Sequence, residues 1–354
     1  MASLPPRSPR FDPAELSPAW FGMVMATGIV AIAAWQHGLL VLAHGLFMLN
    51  IGTYALLWIL HLARLLRHPA SVANDFSDHV RGPGFFTAVA ASGVLGSEAL
   101  LLAGSHTAAL LLWLVAIILW LLLTYGILTA LIIKRTKPTL GEGIHGGWLL
   151  AVVATQSIAV LGALLAARSG TPWRLQFDFL ALSMWLCGGM LYIWLATLIL
   201  HRCLFFPAGP GDLTPPYWIG MGAMAISTLA GTLLGINAID DPILQPLRPF
   251  INGFTLLCWA TGTWWIPLLV VLSLWRHVRR RFPLRSDPLY WSAVFPLGMY
   301  AASTFEMARA MELDFLAWIP GVFLGAALLA WTAAFIGVLR GLVRRMASPD
   351  AARP

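Results

Sequence analysis

Trp20–Gly28 reads WFGMVMATG, and stretches of the same kind recur four times along the chain. Phe85–Gly93 reads FFTAVAASG, Trp148–Gln156 reads WLLAVVATQ, Trp218–Ile226 reads WIGMGAMAI and Trp291–Met299 reads WSAVFPLGM. Each opens on an aromatic anchor and continues in small and apolar side chains. The anchors are 65, 63, 70 and 73 residues apart. That period is the length of one membrane-crossing helical hairpin with its loops.

Working outward from the anchors gives ten apolar blocks: Ala19–Ala34, Leu40–Leu65, Phe85–Ala103, Thr107–Ile133, Trp148–Ala167, Phe177–Leu200, Tyr217–Ile236, Phe250–Trp275, Leu289–Met311 and Leu316–Leu342. A span needs about 20 apolar residues. Of the 354 residues, 59% are hydrophobic and 10% are charged, with mean hydropathy +0.79. Soluble domains carry roughly 25% charged residues. The expected fold is an all-α integral membrane protein of ten transmembrane helices, arranged as five tandem hairpins. Residues 18–343 form the membrane domain, flanked by cytoplasmic segments 1–17 and 344–354.

The two helices of a hairpin differ in kind. Gly, Ala, Ser and Thr make up about half of the 15 residues from each anchor, whereas Leu111–Tyr125 in the fourth block contains only Ala116 and Thr124. Small residues permit close helix approach in lipid, and Leu and Trp suit a lipid face. The odd helices are expected inside and the even ones outside. Five inner helices around one axis would enclose a pore; the same residues would equally serve tight packing without a conduit.

Of the 22 Lys and Arg, 18 fall in the N-terminal segment, the loops after spans 2, 4, 6 and 8, and the C-terminus. The other four are Arg168, Arg174, Arg248 and Arg309. The positive-inside rule places both termini in the cytoplasm, with the protein in the cell (inner) membrane. The cluster Arg276, Arg279, Arg280, Arg281 and Arg285 fits that orientation and would also suit anionic lipid heads. Dispersed over short loops, the +7 net charge gives no reason to expect nucleic-acid binding. Residues 1–17 carry no apolar core of a cleavable signal peptide. Cys187, Cys203 and Cys258 have no CxxC spacing, which argues against a disulfide framework or zinc site.

Enzymatic motifs such as HExxH, GxSxG or a phosphate-binding Gly-Lys loop do not occur, so neither an enzyme nor a cofactor is expected. Ionisable residues inside the apolar blocks are functional candidates. His44 in span 2 is either a core histidine bonded to a backbone carbonyl or a proton relay. Glu98 lies in the outer half of span 3. Glu306 and Arg309, three apart on span 9, are spaced to pair across one turn; Glu306 is the other candidate for proton coupling.

Span 9 also contains Phe295-Pro296. Pro296 has no N–H for the carbonyl of Ser292, so a kink is expected. Phe295 is four residues past its anchor. At that offset the other odd helices carry Val24, Val89, Val152 and Gly222. If this level faces the axis, Phe295 is placed to plug it; otherwise it is a packed Phe beside a proline.

The stretches Trp20–Ile29, His68–Pro83 and Tyr290–Gly298 resemble the tellurite-resistance/dicarboxylate transporter family, which includes plant slow anion channels and yeast malate and sulfite transporters. The resemblance implies five hairpins, a pore from the odd helices, a homotrimer with one pore per subunit, and passage of small anions, either inorganic anions or dicarboxylates. It also implies that Phe295 occludes the pore. The alternative within the family is a proton-coupled carrier or exporter of C4-dicarboxylate or sulfite. Expected lining residues, besides those at the level of Phe295, are Thr27, Gly28, Ser92, Gly93, Thr155, Gln156, Ser227, Gly298 and Ser303. The long regulatory tails of the plant channels have no counterpart in this sequence.

Overall fold

The computed structural model describes residues 13–170, 173–283 and 288–347. Most of the expected N-terminal segment, Arg285, and the tail from residue 348 lie outside the described residues. Twelve α-helices follow in order: α1 (Gly22–Gln36), α2 (Leu40–Arg67), α3 (Pro69–Phe76), α4 (Phe86–Leu101), α5 (His106–Ile133), α6 (Leu140–Gly143), α7 (Leu150–Arg168), α8 (Trp173–Phe205), α9 (Ile219–Asn237), α10 (Arg248–Leu274), α11 (Trp291–Ala310) and α12 (Trp318–Ala347). No strand occurs among the described residues.

Each small-residue helix is led in by a short 3-10 turn: Pro18–Phe21, Gly82–Phe85, Gly146–Leu149, Pro215–Trp218 and Pro288–Tyr290. Four of these turns contain proline, whose missing N–H and fixed φ suit a first helical turn. The aromatic anchors sit in these turns or, for Trp291, directly after one. The hairpins therefore start alike, and α1, α4, α7, α9 and α11 all run in one direction.

Those five helices form a closed ring. Each packs on two others, in the cyclic order α1, α4, α7, α9, α11 and back to α1. The helices α2, α5, α8, α10 and α12 lie outside, each against the inner helix of its own hairpin. Burial separates the two sets. In the most apolar window, 83–89% of residues are buried for the first four inner helices, against 11–39% for the outer ones. The outer faces expose Leu66, Leu204 and Leu329 at 74–82%, a surface suited to lipid rather than to water.

Nine helices among the described residues are long and apolar enough to cross a membrane. Ten were expected. The exception is α11, whose 20 residues include Pro296, Glu306 and Arg309. Its burial inside the ring relieves it of the need for an apolar exterior.

Aromatic side chains on the outer helices stitch each hairpin to the next. Tyr54 OH of α2 is 2.8 Å from Ser92 Oγ of α4. Trp120 Nε1 of α5 donates to Thr155 Oγ1 of α7 at 2.7 Å. Trp185 Nε1 of α8 donates to Ser227 O of α9 at 2.8 Å, and Trp259 Nε1 of α10 donates to Thr304 Oγ1 of α11 at 3.1 Å. The circle closes where Trp331 Nε1 of α12 donates to Thr27 Oγ1 of α1 at 3.0 Å. An indole N–H facing hydrocarbon has no water to bond, so an acceptor on the neighbouring helix satisfies it.

Several basic residues counted for orientation also tie loops together. Arg64 Nη2 donates to Asp75 Oδ2 at 2.6 Å and to Ala14 O at 2.9 Å. Arg202 Nη1 donates to Tyr217 OH at 2.7 Å, and Arg276 Nη1 donates to Leu213 O at 2.7 Å.

The ring-closing bond is open to a double-mutant cycle. Trp331→Phe and Thr27→Val, read by thermal unfolding in detergent, are expected to show a coupling energy of about 0.5–1.5 kcal/mol. Strict additivity would mean that the bond does not hold the ring closed.

Candidate functional site

Every inner helix, and no outer one, contributes to a small cavity of about 50 Å³ on the ring axis. Its lining falls into levels set by the helical period. Ile29, Gly93, Ser157, Ile226 and Met299 form the floor. Ile32, Ser97, Val160 and Leu229 lie above them, and Gln36, Leu101, Leu164, Leu233 and Glu306 form the rim. The rim residues lie near the C-terminal ends of the five helices. The wall is mostly apolar, interrupted by the hydroxyls of Ser97 and Ser157, the Gln36 amide and one carboxylate.

One turn below the floor, at i−4 on each helix, stand Met25, Val89, Val153, Gly222 and Phe295. Met25, Val89, Val153 and Phe295 have no exposed surface, and Gly222 is buried. The cavity therefore ends at a dry level. Gly222 lets α11 come close: a Cβ there would lie 2.8 Å from Pro296 Cγ. Gly298 does the same toward α1, where an added Cβ would be 3.1 Å from Ile29 Cγ2.

The expected lining is only partly gathered here. Gly93 is in the wall, and Val89, Gly222 and Phe295 share the level below. Val24 packs instead with Leu57 of α2 and beside Trp58. Val152 is fully buried, one residue away from the stripe through Ser157. Thr27, Ser92 and Thr155 accept or share hydrogen bonds with outer-ring aromatics, and Gln156 Nε2 donates outward to Trp185 O at 3.0 Å. The hydroxyls of Ser227 and Ser303 bond their own helix at Ala223 O and Tyr300 O.

Gly28 faces away from the cavity, toward a buried pair. Asn50 Nδ2 donates to Glu98 Oε2 at 2.6 Å, and Glu98 is fully buried. His44 lies on the exposed face of α2, with Nδ1 2.8 Å from Leu40 O of its own helix. Glu306 does not pair with Arg309. Gln36 Nε2 donates to Glu306 Oε1 at 2.9 Å, bridging α1 and α11.

The sequence reading missed Gln36, Ser97, Ser157 and Met299. A signal for Met299 was present: Phe295, Met299, Ala302 and Glu306 follow the i, i+4, i+7, i+11 stripe of one helix face. Among the described residues, no group of three His, Cys, Asp or Glu could hold a metal ion.

A family model described as voltage-dependent anion channel matches residues 15–339. An uncharacterized membrane protein of Mycobacterium tuberculosis is 41% identical over 153 residues, which cover 43% of this chain and 77% of the relative. An uncharacterized transporter of Methanocaldococcus jannaschii is 22% identical over 307 residues, covering 85% of this chain and 87% of the relative. A second transporter of that organism is 21% identical over 308 residues, covering 85% and 86%.

The close approach at Gly28 gives a test of the packing around the site. An added Cβ would lie 2.6 Å from both Glu98 Oε2 and Val94 Cγ1 and 2.8 Å from Asn50 Nδ2. The carboxylate and amide are bonded to each other and buried, so neither can yield freely. Gly28→Ala is expected to destabilise the protein by about 1–3 kcal/mol, seen as a lower melting temperature in detergent. An unchanged melting temperature would show that α1 and α4 are not in close contact there.

Proposed function

The chain belongs to the voltage-dependent anion channel family, and on that premise we propose that it passes small anions along the axis of the inner ring, with Phe295 as the occluding side chain. The observation that carries this reading is the axial cavity, lined by all five inner helices and ending one turn from Phe295. A hydrophobic constriction blocks ions by excluding water, so an aromatic ring among Met25, Val89 and Val153 suits a closed gate. Above it, Ser97 and Ser157 donate to their own helices and the Gln36 amide donates to Glu306 and Ala302 O, so no strong fixed donor is aimed at the axis. Weak sites let an ion leave as readily as it enters, which favours flux over retention.

In this reading α11 is the tenth span, its 20 residues giving about 30 Å of helix. The cavity opens on the side that holds the four isolated arginines. The positive-inside rule makes that side extracellular and the Phe295 level the deeper, inner barrier.

The test is anion efflux from proteoliposomes. Phe295→Ala is expected to raise chloride efflux roughly tenfold or more over wild type, because about 1.4 kcal/mol off a barrier is one factor of ten in rate. Equal efflux from the two proteins would refute the gate. No anion flux above empty liposomes in either protein would refute the pathway.

A further inference from the structure

Glu306 is the one ionisable side chain in the cavity wall, and its setting in a pathway for anions calls for an explanation. Gln36 holds only one of its oxygens, Oε1; the other makes no hydrogen bond among the described residues. The Oε1 atom of Gln36 itself is buried without a partner, so acceptor oxygens outnumber donors at this rim.

Among the described residues no ion pair offsets the carboxylate; His37, which packs on the neighbouring Phe305 with ring centroids 5.4 Å apart, bonds Ala33 O instead. Arg309, three residues on, is exposed and does not pair with it. Arg168 is engaged by the helix end at Leu100 O (2.9 Å), and Arg174 by Asn237 O (3.3 Å) and by Asp178 and Asp240. None of these arginines lines the cavity. The other rim residues are Gln36, Leu101, Leu164 and Leu233, so the half-buried Glu306 is the only charge at the mouth among the described lining residues.

We infer that Glu306 is a charge filter at the mouth of the axial cavity, and that the anions this protein admits are monovalent rather than divalent. The inference rests on the anion pathway proposed above and narrows its substrate class. Coulomb repulsion is proportional to the charge of the passing ion. A fixed carboxylate that slows a monovalent anion by some factor slows a dianion by about the square of that factor. Small inorganic monoanions then pass, while sulfate-like and dicarboxylate dianions are held back.

The experiment compares chloride and sulfate efflux from proteoliposomes at neutral pH, in a Phe295→Ala background so that the gate does not limit flux. Adding Glu306→Gln, which keeps a hydrogen-bonding partner for Gln36, is expected to raise chloride efflux about tenfold and sulfate efflux about a hundredfold. The sulfate-to-chloride ratio would then rise about tenfold. Glu306→Ala serves as the second variant and should move the ratio in the same direction. An unchanged or reduced ratio, with chloride still flowing, overturns the filter and leaves the pathway standing. No flux of either anion in the Phe295→Ala protein overturns the pathway, and the filter with it.

Discussion

At several places in the inner ring, the space between two helices is no wider than a glycine hydrogen allows. Gly93 meets Ser157 across α4 and α7, where an added Cβ would be 2.7 Å from the Ser157 Oγ. Gly222 meets Pro296 across α9 and α11, and Gly298 meets Ile29 across α11 and α1. Hydrophobic driving force is weak between helices in lipid, so contact of this closeness is what holds them. The remaining features depend on it. Five helices packed this tightly close on themselves, and their bulky partners are forced to the outside. The axis is left as a narrow space rather than a filled core.

The outer ring adds specificity to this packing. Trp120, Trp185, Trp259, Trp331 and Tyr54 cannot leave polar atoms in hydrocarbon, and each finds a partner on the inner helix of the next hairpin. That requirement explains where the sequence reading succeeded and where it failed. The hairpin period, the inner and outer sets and their order were legible, because small residues, anchors and leading prolines are local signals. The direction of individual hydroxyls was not. Thr27, Ser92 and Thr155 each lie seven residues past an anchor and look like pore-lining polar groups. Their partners are Trp331, Tyr54 and Trp120, which are remote in sequence, and those partners decide which way the hydroxyls face.

The level of Phe295 was legible to within one residue. Counting four from each anchor selects Val24 and Val152, whereas the helical stripe through the cavity floor selects Met25 and Val153. The cause is the leading 3-10 turn. Trp20 and Trp148 stand two residues before their helices begin, Phe85 and Trp218 one, and Trp291 is itself the first helical residue. A displacement of one residue turns a side chain by about 100°, which carries Val24 from the axis to the α2 side. Counting from the helix start instead brings Met25, Val89, Val153 and Gly222 to one position. Phe295 falls one residue beyond it, on the helix that also carries the proline.

The shared direction of the five inner helices has a further consequence. Carriers that work by alternating access are commonly built from inverted repeats, in which a pseudo-two-fold axis in the membrane plane lets the halves exchange conformations and expose one site to each side in turn. Hairpins that all run the same way are related by an axis along the membrane normal, and no such operation exchanges the two faces of this ring. The two ends of the axis differ: one has a rim bearing the Glu306 carboxylate, the other the fully buried level of Phe295. On the proposed reading the ring has no mirror state to rock into, and opening would fall to the side chain at the Phe295 level.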